Sequence, residues 1–121
     1  YGEIIMIYCF DLDGTLCTLE VGHDMTEGSK KDKLQYQNAK PIKDRISVVN
    51  QLYSEGNTII IETARGSVSG TDWYEETTKQ LDSWGVKYHK LRTGVKHAAD
   101  LYVDDKAIYA NDFFMAMSSV E

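Results

Sequence analysis

The fold is decided by the stretch IIMIYCFDLDGT, residues 4–15. Its first seven residues are β-branched, aromatic or otherwise apolar, without polar alternation, which predicts a strand buried on both faces of a parallel sheet. The strand runs directly into Asp11 and Asp13, and Gly14 gives the backbone the freedom to turn there. The two carboxylates are therefore expected at the carboxyl end of a central strand, where open α/β sheets bind ligands.

Beyond this stretch, the sequence alternates between helical periodicity and short apolar runs. Apolar residues within 42–52 recur every three or four positions, which predicts an amphipathic helix that Pro41 begins and Gly56 ends. Asp72 and Glu75 have the spacing of a capping box and predict the start of a second helix. This alternation predicts an α/β fold, a three-layer, Rossmann-like parallel sheet flanked by helices. The predicted strands are residues 4–10, 57–63, 86–91 and 100–103, and the predicted helices are residues 41–56, 72–85 and 111–118.

Length and charge limit the classes of protein that the sequence can represent. The chain has 121 residues, of which 42% are hydrophobic, and its formal net charge is −6. This composition predicts one folded domain over residues 1–121, with residues 1–5 as an added tag or the tail of an upstream domain. An acidic balance disfavours nucleic acid as a partner, because such binding normally uses a basic face.

The cysteines and the longest apolar run indicate the compartment. Cys9 and Cys17 form neither a disulfide framework nor a metal knuckle, so both are expected to be reduced, with Cys9 in the core. The run at residues 4–10 is too short to cross a bilayer and lacks the features of a signal peptide. We therefore expect a cytoplasmic protein that has no membrane partner.

Three polar clusters follow predicted strands and are expected to meet at one edge of the sheet. They are Asp11 with Asp13, the loop 63–66, and Asp104 with Asp105. Carboxylates gathered in this way repel one another, and a divalent cation relieves the repulsion. Oxygen ligands favour Mg²⁺ over zinc, so Mg²⁺ is the predicted cofactor.

Other interpretations of these residues fit less well. A calcium loop starting at Asp11 would need an oxygen ligand at its fifth position and glycine at its sixth, where the chain has Thr15 and Leu16. The three histidines have no zinc-binding spacing, and Trp73 and Trp84 are expected in the core. The segment 30–45 carries a local net charge of +4, which favours either a solvated surface or an attractor for an anionic substrate.

The order Asp11-Leu12-Asp13-Gly14-Thr15 after an apolar strand resembles the first motif of the haloacid dehalogenase superfamily of phosphohydrolases. Thr63 resembles its second motif, Lys96 its third, and Asp104-Asp105 its fourth. The chain is most similar to small capless phosphatases found beside surface-polysaccharide or sugar-nucleotide genes. The stretches that carry this similarity are Thr63-Ala64-Arg65-Gly66, Asp72-Trp73, residues 84–89 and residues 103–107.

The resemblance implies a role for each motif. Asp11 would attack phosphorus and form an aspartyl-phosphate, while Asp13 would act as general acid and then as general base. Thr63 and Lys96 would bind the phosphoryl oxygens, with Lys87, Lys90 and Arg92 as competitors for the lysine role. Ala64 and Arg65 are candidate substrate-binding residues, and Arg65 either grips substrate or braces the loop. The predicted Mg²⁺ ligands are Asp11, Asp13, Asp104 and Asp105, with the choice of direct ligand between the last two left open.

No cap domain is expected, because the two gaps where relatives insert one, residues 16–40 and 66–72, are short. The active site would then be open, covered at most by the flap 17–40, a second copy of the chain or a fusion partner. The predicted function is Mg²⁺-dependent hydrolysis of a phosphomonoester, a sugar phosphate or related small metabolite. The alternatives are an end-phosphatase for a polynucleotide or nucleotide, and a non-catalytic accessory domain fused to a nucleotidyltransferase.

Overall fold

The computed structural model describes residues 5–20, 36–97 and 99–118, and its sheet contains three parallel strands. These are β1 (Ile7–Phe10), β2 (Thr58–Thr63) and β3 (Lys90–Thr93), in the spatial order β1-β2-β3. Phe10 lies opposite Ile61, and Thr63 lies opposite Thr93. The carboxyl ends of all three strands therefore lie along the same edge of the sheet.

Three helices flank this sheet in the described part of the chain. They are α1 (Lys43–Ser54), α2 (Tyr74–Ser83) and α3 (Ala110–Ser118), and a short 3-10 helix covers Tyr36–Asn38. All three predicted helices are confirmed, and so is the α/β, Rossmann-like class. Asp72 is not itself the cap residue of α2, but its Oδ1 accepts a hydrogen bond from the Tyr74 N–H at 3.0 Å.

The core lies between the sheet and the helices. Val49 of α1, Ile59 and Ile61 of β2, and Leu81 of α2 have no exposed surface. Buried residues recur at helical spacing in α1, as the sequence predicts. Along β2, buried and half-buried residues alternate, although its apolar run, residues 59–61, is continuous. Phe114 of α3 is also buried and stacks on Phe10 at 6.0 Å between ring centroids.

The predicted position of β1 in the middle of the sheet is wrong for the described residues. β1 lies at the edge, Ile7 is 71% exposed, and Cys9 is exposed rather than in the core. The predicted fourth strand, residues 100–103, is also not a strand here, and Val103 is 92% exposed. An apolar run predicts that a strand is buried, but it does not show which segments pack against that strand.

The predicted third strand begins later than expected. Val86 is buried, but its N–H closes the end of α2 by bonding to the Leu81 carbonyl at 3.1 Å. The Lys87 N–H bonds to Asn50 Oδ1 at 2.8 Å, which ties the segment to α1. The N–H groups of residues 86 and 87 therefore bond to helices α2 and α1, and β3 starts at Lys90.

None of the helices in the described ranges is long and apolar enough to cross a membrane.

Candidate functional site

The loop after β1 is folded around two leucines. Leu12 and Leu16 have no exposed surface, and the Leu12 carbonyl accepts hydrogen bonds from the N–H groups of Thr15 at 3.0 Å and Leu16 at 2.8 Å. Gly14 has a φ of +84°, a conformation that costs glycine least. The tight turn buries the leucines and leaves Asp11 and Asp13 on the polar side.

Helix α1 holds this loop in place. The Ile42 N–H donates to the Leu16 carbonyl at 2.9 Å, and Arg45 Nη1 donates to the Thr15 carbonyl at 3.1 Å. The two ends of the predicted flap also meet, because the Thr18 N–H bonds to the Lys40 carbonyl at 2.8 Å. The rest of the flap, residues 21–35, lies outside the described residues, as does the part of the basic segment before residue 36.

Asp11 and Lys96 form an ion pair at the carboxyl edge of the sheet. Lys96 Nζ lies 3.3 Å from Asp11 Oδ1, and the side chains are 26% and 37% exposed. Thr15 Oγ1 donates to the other oxygen of Asp11 at 3.4 Å. The pair is open to solvent on one side, so an anionic group can approach both partners.

Two contacts position Lys96. Ser67 Oγ donates to the Lys96 carbonyl, and the ammonium lies 4.8 Å from the centre of the Tyr102 ring. Arg92, a competitor for the role of Lys96, instead pairs with Glu62 at 3.5 Å. The structure thus brings Lys96 to Asp11 and turns Arg92 to a neighbouring strand.

Asp13 pairs with Arg65, which stands in the loop after β2. Arg65 Nη2 donates to Asp13 Oδ1 at 2.7 Å, and Nε donates to Oδ2 at 2.9 Å, which makes a two-bond fork. The Cys17 thiol donates to Asp13 Oδ1 at 3.4 Å. Both oxygens of Asp13 are therefore held by protein donors.

Arg65 itself is 1% exposed and has further partners in α2. Its Nη1 donates to Thr77 Oγ1 at 3.2 Å and to Gln80 Oε1 at 2.8 Å. The guanidinium lies over the Tyr36 ring, 4.6 Å from its centre. The two roles predicted for Arg65 are to grip substrate or to brace the loop. In this arrangement Arg65 braces the loop.

Thr63 and Ala64 lie at the end of β2, where the sequence predicts them. Thr63 is 1% exposed, and its Oγ1 accepts a hydrogen bond from the Arg65 N–H at 3.2 Å. The hydroxyl proton of Thr63 remains available for an acceptor. The Ala64 carbonyl accepts a hydrogen bond from the Ser67 N–H at 2.8 Å, which closes the turn. This turn places Ser67, whose hydroxyl bonds to Lys96.

Burial and the Asp13 charge change the acidity of two neighbours. Burial first, and then the nearby Asp13 carboxylate, raise the pKa of the Cys17 thiol to about 12. The same two causes raise the pKa of the Tyr36 hydroxyl. Cys17 is therefore a neutral hydrogen-bond donor at neutral pH and is unsuited to nucleophilic attack.

Asp104 and Asp105 do not join this cluster. Asp104 accepts from the Lys106 N–H at 2.8 Å, a bond that lowers the pKa of its carboxyl, and Asp105 pairs with Lys106 Nζ at 3.3 Å. Both side chains are exposed. The expectation that the fourth-motif residues meet Asp11 and Asp13 depends on a fourth strand, and that strand is not formed here.

The donor set therefore does not fit a Mg²⁺ site in this arrangement. Within the described ranges, no three acidic, histidine or cysteine side chains are placed to hold one metal ion. Asp11 faces Lys96, and the carboxylate of Asp13 is occupied by Arg65. A complete set of oxygen ligands would require residues 104–105 to move to Asp11.

Several residues of the site carry no motif, and sequence reasoning missed them. Gln80 and Thr77 reach Arg65 from α2, Tyr36 stacks on it, and Ser67 anchors Lys96. Thr77 gave the one usable signal, because a threonine on the apolar face of a helix requires a buried polar partner.

Comparison with known proteins supports the fold. The chain is similar to the crystal structure of an MCSG target protein from Vibrio cholerae, with a TM-score of 0.68 and 25% sequence identity. The similarity covers 91% of this chain and 88% of that chain. No family model and no curated protein matches the chain. The likeness agrees with a Rossmann-like α/β protein.

Proposed function

We propose that the chain is a phosphomonoester hydrolase of the haloacid dehalogenase type that works through an aspartyl-phosphate on Asp11. The observation that carries the proposal is the Asp11–Lys96 pair, 3.3 Å apart and partly open to solvent beyond β1. The Lys96 ammonium attracts a phosphate dianion to a carboxylate that would otherwise repel it. It also offsets charge on the phosphoryl oxygens during transfer.

In the first step, an oxygen of Asp11 attacks phosphorus, and the bond from phosphorus to the leaving oxygen breaks. Asp13, which must be protonated for this step, gives its proton to that oxygen, so the product leaves as a neutral alcohol. Thr63 and Lys96 stabilise the equatorial oxygens. Thr63 Oγ1 accepts the hydrogen bond from the Arg65 N–H, and that bond does not use the hydroxyl proton.

In the second step, water attacks the phosphorus of the aspartyl-phosphate. Asp13, now a carboxylate, takes a proton from the water, and the bond from phosphorus to Asp11 breaks. This restores the Asp11 carboxylate and the Asp13 proton and releases inorganic phosphate.

Mg²⁺ is the proposed cofactor on the strength of the acidic motifs. The predicted ligands Asp11, Asp13, Asp104 and Asp105 would bind it together only if residues 104–105 approached β1. The same proposal includes a sugar phosphate as substrate, a second copy or a fusion partner covering the site, and a sheet of the haloacid dehalogenase type. These three parts rest on the sequence resemblance.

The test is a phosphate-release screen across hexose phosphates, nucleotides and phosphate-ended oligonucleotides, with Mg²⁺ and with EDTA. We expect hexose phosphates to be preferred and EDTA to abolish turnover. Asp11→Asn should lower kcat by at least about 10³-fold because the amide is a poor nucleophile. Circular dichroism should show that the variant is folded.

Asp82→Asn is the matched control, since Asp82 is an exposed aspartate on α2, and its turnover should equal that of the parent. If oligonucleotides were preferred, the proposed substrate would be the phosphorylated end of a nucleic acid and not a sugar phosphate. Equal turnover in Asp11→Asn would remove Asp11 as nucleophile. Absence of turnover on every substrate would favour the non-catalytic accessory domain.

A further inference from the structure

Arg65 is a buried cation whose donors all point at protein groups. Its side chain is 1% exposed, and it sits between the loop after β1 and helix α2. An arginine that bound substrate phosphate would need N–H groups free for it, and those of Arg65 bond to Asp13, Thr77 and Gln80. Its occupied donors therefore call for a different role.

The partner that gains most from Arg65 is Asp13, whose side chain is 12% exposed. The fork of bonds at 2.7 and 2.9 Å fixes the plane of the carboxyl group as well as its position. The Cys17 thiol also donates to Oδ1, whereas Oδ2 has a second lone pair outside the fork, so Asp13 can carry a proton towards a substrate on Oδ2.

We propose that Arg65 is the positioning residue of the acid and base Asp13, an inference that rests on the proposed hydrolase. When Asp13 gives its proton to the leaving oxygen, negative charge grows on the carboxyl group, and the guanidinium stabilises it there. The same fork then holds the carboxylate in place to accept the proton of the attacking water. Arg65 acts on both steps without touching the substrate.

The surroundings of Arg65 are built to hold its fork still. Gln80 accepts from Nη1 at 2.8 Å and donates from its own Nε2 to the Tyr36 carbonyl at 2.8 Å. The Tyr36 ring packs on the guanidinium face, and Trp73 packs on Tyr36 at 4.9 Å between ring centres. Helix α2 and the described end of the flap, which contains Tyr36, thus fix the orientation of Asp13 through one arginine.

The dependence of the rate on the leaving group distinguishes positioning of an acid from general structural support. Phenyl phosphate releases a basic phenoxide that needs a proton, whereas 2,4-dinitrophenyl phosphate releases an anion that does not. In Arg65→Met, we expect kcat to fall about 100-fold on phenyl phosphate, the usual size of a general-acid contribution, and less than about 10-fold on the dinitrophenyl ester. Arg65→Lys should recover part of the loss on phenyl phosphate.

Two further variants complete the experiment. Gln80→Leu removes one support of the guanidinium and should show the same selective loss at about a tenth of the size. Arg92→Met is the control, because it removes a half-exposed arginine paired with Glu62, and it should leave both rates unchanged. If Arg65→Met does not fold, Arg65→Lys and Gln80→Leu carry the comparison.

The possible outcomes separate the two proposals. A parent protein that hydrolyses neither ester, nor any substrate of the phosphate-release screen, refutes the proposed hydrolase and this role with it. A parent that is active, together with variants that lose equal rate on both esters or none on either, refutes the positioning role alone. A loss confined to phenyl phosphate supports it.

Discussion

Two pairs of acidic residues in this chain follow apolar stretches of sequence, and they have opposite surroundings. Asp11 and Asp13 lie in a loop closed over buried leucines and bond to Lys96 and Arg65, partners from distant loops. Asp104 and Asp105 bond to Lys106, one or two residues away, and are exposed. The difference shows that an acidic pair gains partners from distant loops where its strand pairs in the sheet, and that the sequence pattern alone does not provide them.

The first prediction compares the stability that the two pairs contribute. Asp13→Asn leaves the Arg65 guanidinium buried without its counter-charge, and we expect the free energy of unfolding to fall by about 3 kcal/mol. Asp104→Asn removes an exposed charge, so the unfolding midpoint should not move. Urea denaturation of both variants at pH 7 measures the difference.

An equal loss in the two variants would contradict the comparison. It would show that residues 104–105 are held by long-range contacts, as a paired fourth strand would provide. Mg²⁺ added to the same titrations sharpens the result. A stabilisation by Mg²⁺ that Asp104→Asn removes would place this residue at the metal.

The contrast between the two pairs also explains how much the sequence could predict. Helix α1 follows from local periodicity, since burial on one face fixes the spacing of its apolar residues, and strand β2 follows from a short apolar run between polar segments. The meeting of Asp11, Arg65 and Lys96 follows in outline from topology, because the carboxyl ends of parallel strands share an edge.

The fork between Asp13 and Arg65 could not be predicted, because it joins side chains 52 positions apart and depends on rotamers. The edge position of β1 was missed for a related reason. The run at residues 4–10 shows how apolar the strand is, but not which strands pair with it. Local pattern determines an element, whereas its neighbours depend on the whole chain.

The second prediction concerns the loop that carries Arg65. Gly66 has a φ of +88°, and a Cβ added there would lie 2.2 Å from the Thr71 carbonyl oxygen. Gly66→Ala therefore combines a disfavoured backbone with a clash against main chain, and we expect a loss of about 2–3 kcal/mol in unfolding free energy.

Gly70 provides the matched control in the same loop. Its φ is +80°, and an added Cβ would have no heavy atom within 4 Å. Gly70→Ala should cost only the backbone conformation, about 1 kcal/mol. If the two variants lost equal stability, the close approach of the loop at Gly66 would be wrong, and with it the support that the turn gives to Arg65.

The smallest expected effect is a pH dependence from Cys17, which lies beside Asp13. Burial and the Asp13 charge raise the pKa of its thiol from 9.0 to about 12, so the folded state holds the proton more tightly than the unfolded state. The stability linked to this proton is complete below pH 9 and is lost as pH rises towards 12. Between pH 8 and 10, we expect the unfolding free energy of the parent to fall by about 1 kcal/mol more than that of Cys17→Ala.

Comparing slopes rather than absolute stabilities removes the cost of the cavity in Cys17→Ala, because that cost does not depend on pH. Burial and the nearby Glu62 carboxylate also raise the pKa of the Cys9 thiol, so Cys9→Ala should flatten the slope in the same direction, but by less, because Cys9 is exposed on β1. If Cys17→Ala kept the parent's slope, the thiol would not be buried against Asp13, and the loop after β1 would be as open as residues 99–109.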